Sequence, residues 1–70
     1  MAWKVTVGPV TSIFANNYGV WIQAGNLWHW SNSAYAGSMI TIAADARRAG
    51  IPVYIYYEDT NAMIYDIQAI

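Results

Sequence analysis

The sequence predicts a mainly β domain of the α+β class, a five-stranded antiparallel barrel with one helix between the third and fourth strands. Three observations lead there. Apolar and polar residues alternate with a period of two on both sides of a single stretch that has helical spacing. Clusters of Asn, Gly, Asp and Thr separate the alternating runs as tight turns do. A chain of 70 residues also has no room for the crossovers of a parallel sheet. No repeat, linker or low-complexity stretch divides it, so residues 1–70 form one domain.

The first strand is predicted over Trp3 to Phe14, where Val5 and Val7 alternate with Lys4 and Thr6. Gly8-Pro9 inside it reads as a bulge or bend that lets one long strand curve, because Pro donates no amide and Gly tolerates unusual dihedrals. Ala15-Asn16-Asn17-Tyr18-Gly19 supplies residues that accept a left-handed conformation and reads as a hairpin loop. The second strand follows over Val20 to Gln23. After a tight turn at Gly25-Asn26 comes a short third strand, Leu27 to Trp30.

Ser31-Asn32-Ser33 offers side chains that cap a helix start. From Ala34 onward Ala36, Met39, Ile40, Ala43, Ala46 and Ala49 fall on one stripe of a helix. Arg47 and Arg48 occupy the last turn, where cations complement the dipole. Gly50, Ile51 and Pro52 form the signature of a Schellman-type end. The fourth strand, Pro52 to Glu58, has an aliphatic face (Val53, Ile55, then Tyr57) and an aromatic face (Tyr54, Tyr56). Past a turn at Glu58-Asp59-Thr60-Asn61, the fifth strand runs from Met63 to Ile70, with Tyr65 and Ile67 expected on one side and Asp66 and Gln68 on the other.

Composition narrows the function classes. A domain this short buries only about 60% of the surface its unfolded chain exposes. Small domains compensate with disulfides, metals, assembly or exceptional packing. With no Cys and a single His, His29, neither a disulfide nor a structural zinc site is available. Apolar residues make up 57% of the chain and charged residues 10%, against about 45–50% and 25% in ordinary domains. So uncharged a surface is expected to be covered by other copies of the chain. Three cations, Lys4, Arg47 and Arg48, do not make the basic face that nucleic acid requires. No apolar run is long enough for a membrane-spanning helix, so no membrane insertion is expected. Nor does MAWKVTVGPV have the basic start and apolar core of a signal peptide. No cofactor, metal or enzymatic activity is expected.

Strand, strand, strand, helix, strand, strand is the element order of the OB-fold. At this size the chain resembles the B subunits of pentameric bacterial toxins, the group that includes the subtilase cytotoxin and pertussis-like toxins. The resemblance lies in the helix-to-strand passage MITIAADARRAGIPVYIYYED (Met39 to Asp59), the hairpin VTSIFANNYGVWIQ (Val10 to Gln23) and the closing strand Ile64 to Ile70. It implies a homopentameric ring with helices around a central pore, neighbouring edge strands paired, recognition of cell-surface glycans, and a catalytic A subunit as a further partner. A secreted protein would follow from the resemblance, and a cytoplasmic one if Met1 is the native start. Those subunits usually carry a disulfide and a leader, and this sequence departs from them in both.

Two sets of candidate site residues follow. For a glycan they are Asn16, Asn17 and Tyr18, with amide and hydroxyl groups, and Trp28, His29 and Trp30, where indoles offer stacking faces. In a strand Trp28 and Trp30 share one face and His29 takes the other, so at least one face belongs to a core or an interface. The Asn-Asn-Tyr loop reads more readily as ordinary turn chemistry. For subunit interfaces the candidates are Tyr54 and Tyr56, and Met39, Ile40 and Arg47 on the helix. Glu58, Asp59 and Asp66 read as solvated carboxylates. The reading that follows is a non-catalytic, homo-oligomeric glycan-binding module. Its alternative is a structural ring component without sugar affinity.

Overall fold

A computed structural model of the chain describes residues 2–32 and 36–70. Six strands and one helix follow in the order β1 (Trp3–Gly8), β2 (Val10–Asn16), β3 (Gly19–Ala24), β4 (Leu27–Asn32), α1 (Ala36–Ala49), β5 (Val53–Glu58) and β6 (Ile64–Ala69). They build two antiparallel sheets of three strands, β1-β5-β6 and β2-β3-β4, here called sheets A and B.

This corrects the five-stranded barrel. Gly8-Pro9 does not bend one continuous strand but ends one and starts another. Pro9 has no amide for a ladder, and Gly8 lies so close to Gly25 that an added Cβ would stand 3.2 Å from the Gly25 backbone. The two halves then pair with different partners, β1 with β5 and β2 with β3. The helix consequently follows the fourth strand. Closure is missing as well: the only pairing between sheets A and B among the described residues is a parallel bridge, Trp30 to Met63.

The hairpins follow from their turns. Asn17-Tyr18 joins β2 to β3 with Asn16 opposite Gly19, and the Asn16 side chain accepts the Tyr18 amide at 2.8 Å. Gly19 is required by the close approach of β4, because a Cβ there would stand 2.0 Å from the Ser31 carbonyl oxygen. Gly25 and Asn26 have φ of 57° and 63°, the pair of positive values that a two-residue hairpin turn needs to match strand twist.

The helix end matches its sequence signature. Gly50 has φ 70°, its amide donates to the Arg47 carbonyl, and the Ile51 amide donates to the Ala46 carbonyl at 3.0 Å, the two bonds of the Schellman motif. The Ile51 side chain itself stays exposed. Ser33 and Ala34, read as a cap and first helical residue, lie outside the described residues, as does the side chain of Ala36. Met39, Ala43 and Ala46 are buried against Val10, Val20, Ile22, Ala24, Val53, Ile55, Ile64 and Ile67, while Ile40 and Ile42 are half-buried beside them. Ala49 is exposed. No helix among the described residues is long and apolar enough to cross a membrane.

One-residue irregularities decide which side chains face out. Tyr57 pairs with Ile64 while Tyr56 pairs with Asp66, so β6 carries one extra residue, Tyr65. A bulge of this kind moves a side chain to the other face. Tyr65 is therefore 69% exposed while Ile67 is 5% exposed, and the two do not share the face that simple alternation assigns them.

Candidate functional site

The described surface presents two aromatic clusters, one on the outer face of each sheet. On sheet A, Val5 lies opposite Tyr56 and Val7 opposite Tyr54. Trp3 stacks on Tyr56 with ring centroids 5.3 Å apart, and Tyr65 meets both rings edge-on at 5.4 and 5.8 Å. These separations suit offset-stacked and edge-to-face pairs. The three rings thus contact one another. Val5 and Val7 are 46% and 57% exposed, so β1 turns its apolar side outward and its polar Thr6 inward, the reverse of a strand that contributes valines to a core. Charge stays at the margin. Lys4 pairs with Asp59 at 3.5 Å, and the Asp66 carboxylate accepts the Gln68 amide at 2.7 Å.

On sheet B, the Phe14 ring stacks on Trp21 at 5.0 Å and meets Trp28 edge-on at 5.5 Å. Counting back from the Asn17-Tyr18 turn places Phe14 opposite Trp21, and Trp21 opposite Trp30. The hairpin register is thus the signal by which Phe14 and Trp21 are found in the sequence. Gln23 adjoins them and accepts the Thr11 hydroxyl at its side-chain and backbone oxygens.

The six glycan candidates do not form one surface. Trp28 is exposed beside Phe14. Asn16, Asn17 and Tyr18 sit at the opposite end of the sheet, next to the Gly19–Asn32 pair, about 13 Å from Trp28 at ~3.3 Å per residue. Trp30 shares the outer face, but its indole N–H donates to the Asn61 carbonyl at 2.7 Å and its amide to the Ala62 carbonyl at 3.0 Å, fixing the turn before β6 to β4.

His29 faces the interior, as its strand parity requires, and is fully buried. Its Nδ1 lies 3.2 Å from the Ile22 carbonyl oxygen, which can only accept, so Nδ1 carries the proton. In the neutral ring Nε2 then accepts the Thr6 hydroxyl at 3.0 Å. The ring also meets Tyr57 edge-on at 4.8 Å. Burial pulls the pKa below the usual histidine value, with the Ile22 and Leu27 backbone hydrogen bonds acting in the opposite sense. A neutral, enclosed imidazole joining sheet B to β1 and β5 of sheet A is a structural tie.

Among the interface candidates, Tyr56 belongs to the sheet A cluster, Tyr54 is half-buried on the same face, and Arg47 is exposed. Met39 is buried by its own chain and Ile40 half-buried. Glu58 is buried rather than solvated, and its carboxylate receives the Thr60 amide and hydroxyl. Among the described residues no three His, Asp or Glu side chains gather as a metal site would require. Comparisons with protein-family models, with curated proteins and with solved structures each give no match.

Proposed function

We propose that the protein is a non-catalytic module that assembles with copies of itself through the outer faces of its sheets. The observation that carries this reading is the inverted polarity of β1: Trp3, Val5 and Val7 face out beside Tyr56 and Tyr65, while Thr6 faces in. Soluble monomers rarely leave contiguous apolar patches larger than a few hundred Å² uncovered. The titratable groups also favour a binding role over a catalytic one, since His29 is enclosed and Glu58 is held by Thr60.

A homopentameric ring, the arrangement implied by the resemblance to toxin B subunits, requires two different surfaces on each copy, because ring contacts are heterologous. The outer faces of sheets A and B are two such surfaces. Sedimentation of the purified chain, 7.8 kDa per copy, tests the reading: a closed oligomer is expected, and Val7→Lys should shift it toward single chains while leaving the circular dichroism unchanged. A charge at such a position blocks association without touching the core.

A second reading has the outer face of sheet B receiving a glycan instead of another copy. It is favoured by the exposed rings of Phe14 and Trp28 beside the polar Gln23 and Thr11. A glycan array probed with the assembled protein, with Trp28→Ala as control, separates the two. Binding lost in the variant supports the glycan, and no binding by the intact protein removes it.

A further inference from the structure

The strands at the edges of the two sheets are not alike. Sheet A ends on β1 and β6, and sheet B on β2 and β4. An edge strand leaves a row of backbone donors and acceptors unpaired, and folded proteins blunt it with charge, Pro, bulges or a covering segment. β1 carries Lys4, paired to Asp59, and β6 carries Asp66. β4 is bridged to Met63 through Trp30. β2, VTSIFAN, holds no charged residue, Pro or Gly. Its register shift, between Val10 and Ser12, stands at the start of the strand and leaves residues 12–16 regular.

The register fixes which groups lie on that edge. Gly25-Asn26 is a two-residue turn with positive φ at both positions, so the flanking pair Ala24 and Leu27 exchanges its backbone bonds. Bonding alternates residue by residue along a strand. Ile22 therefore also points its amide and carbonyl at β4, while Trp21 and Gln23 point theirs at Phe14 and Ser12 of β2. Ile13 and Ala15 are left aiming their amides and carbonyls away from β3, where no described residue receives them.

The side chains along this edge complement themselves. When β2 is laid antiparallel on its own copy about Phe14, Phe14 faces Phe14, Ile13 faces Ala15 and Ser12 faces Asn16. Aromatic meets aromatic, aliphatic meets aliphatic and hydroxyl meets amide, with no like charges opposed. Phe14, Ala15 and Asn16 are all exposed. Phe14 already stacks on Trp21, and the pairing continues that aromatic row into the second copy.

We infer that β2 pairs antiparallel with β2 of a second copy about a two-fold axis at Phe14, joining two copies of sheet B into one sheet. Ile13 of each copy exchanges backbone bonds with Ala15 of the other, and the Phe14 pair is non-bonded, with Cα atoms about 4.5 Å apart. A two-fold contact places the same patch on both copies, which the match in kind along residues 12–16 satisfies. The inference goes beyond the face-to-face assembly proposed above, because it uses a strand edge and holds whether or not the outer faces are covered.

The contact is short, so covalent trapping reads it best. The chain has no cysteine, and single-Cys variants report the register without background. Phe14→Cys, Ser12→Cys and Asn16→Cys are each oxidised in the folded chain and scored for covalent dimers by non-reducing electrophoresis. Phe14→Cys should cross-link to itself about tenfold faster than either of the others, because its two copies meet at disulfide distance. Two copies of position 12, or of position 16, stand about 13 Å apart at ~3.3 Å per residue. Mixing Ser12→Cys with Asn16→Cys, which keeps Phe14 in place, should restore cross-linking. In the Phe14→Cys chain, Ala15→Pro removes an outward amide and no bond to β3, a position where edge strands accept Pro. It should slow cross-linking about tenfold with an unchanged circular dichroism spectrum. Val7→Lys should leave the cross-link in place, since the outer face of sheet A takes no part. Equal cross-linking at the three positions, or none at any, would overturn the inference. So would a Phe14→Cys cross-link that survives Ala15→Pro or disappears with Val7→Lys.

Discussion

Strands β1 and β3 have six residues each, yet they turn their aliphatic side chains in opposite directions. β3 turns Val20, Ile22 and Ala24 inward, all 0% exposed. β1 turns Val5 and Val7 outward and presents Thr6 to His29. Periodicity specifies that a strand has two different faces, and the neighbouring sheet decides which of them is the core. Because the apolar side of β1 is left uncovered within one chain, that strand is the one the proposed assembly would use, whereas β3 contributes to folding.

The sharpest way to break this contrast is to truncate both strands. Ile22→Ala should destabilise the fold by about 2–5 kcal/mol, the range for large-to-small changes in a packed core, read as a shift in the denaturant midpoint. Val7→Thr should change chain stability by no more than about 0.5 kcal/mol, as surface substitutions usually do, while weakening association measured by sedimentation. Equal losses of stability in the two variants would erase the distinction between the strands.

A smaller effect concerns the polar contact on the inward side of β1. Because burial holds the His29 pKa below its unfolded value, the unfolded chain binds more protons in the interval between the two. Stability is therefore undiminished above the unfolded histidine value near 6.5. It falls as pH drops below that value, by up to about 1.4 kcal/mol per pH unit, and levels off once pH passes beneath the folded value. Urea melts between pH 7.5 and 5 should show this slope, and His29→Leu should remove it. A wild-type slope that survives in His29→Leu would assign it to another group.

The smallest effect tests the turn fixed to β4 by Trp30. Ala62 sits at φ 60°, where a side chain costs about 1–2 kcal/mol and Gly costs little. Allowing for the entropy that Gly adds to the unfolded chain, Ala62→Gly should stabilise by about 0.5 kcal/mol. A loss of stability would mean that the Ala62 methyl contributes more to packing than its backbone conformation costs.

Much of the local structure was legible because its causes lie within a few residues. The Gly50-Ile51-Pro52 end of α1, the opposed faces of Trp28 and His29, and the aliphatic and aromatic sides of β5 all follow from short-range periodicity and turn chemistry. What was not legible depends on distant partners or on a slip of one residue. The separation of β1 from β2 rests on Gly8 meeting Gly25. The outward turn of Tyr65 rests on a bulge that no composition signal marks. The partner of His29 lies 23 residues away at Thr6, and among the described residues the two sheets pair only through the Trp30–Met63 bridge. The aromatic supply of the candidate site was evident in the sequence. Its division into two faces was not, because that depends on pairings between strands far apart in the chain.

The central claim is that the outward apolar face of sheet A is covered by another copy of the chain. Sedimentation velocity across a concentration series addresses it directly. The account predicts a species heavier than one 7.8 kDa chain at micromolar concentration, reverting toward single chains in Val7→Lys. A folded protein that stays at single-chain mass over the whole series would contradict it.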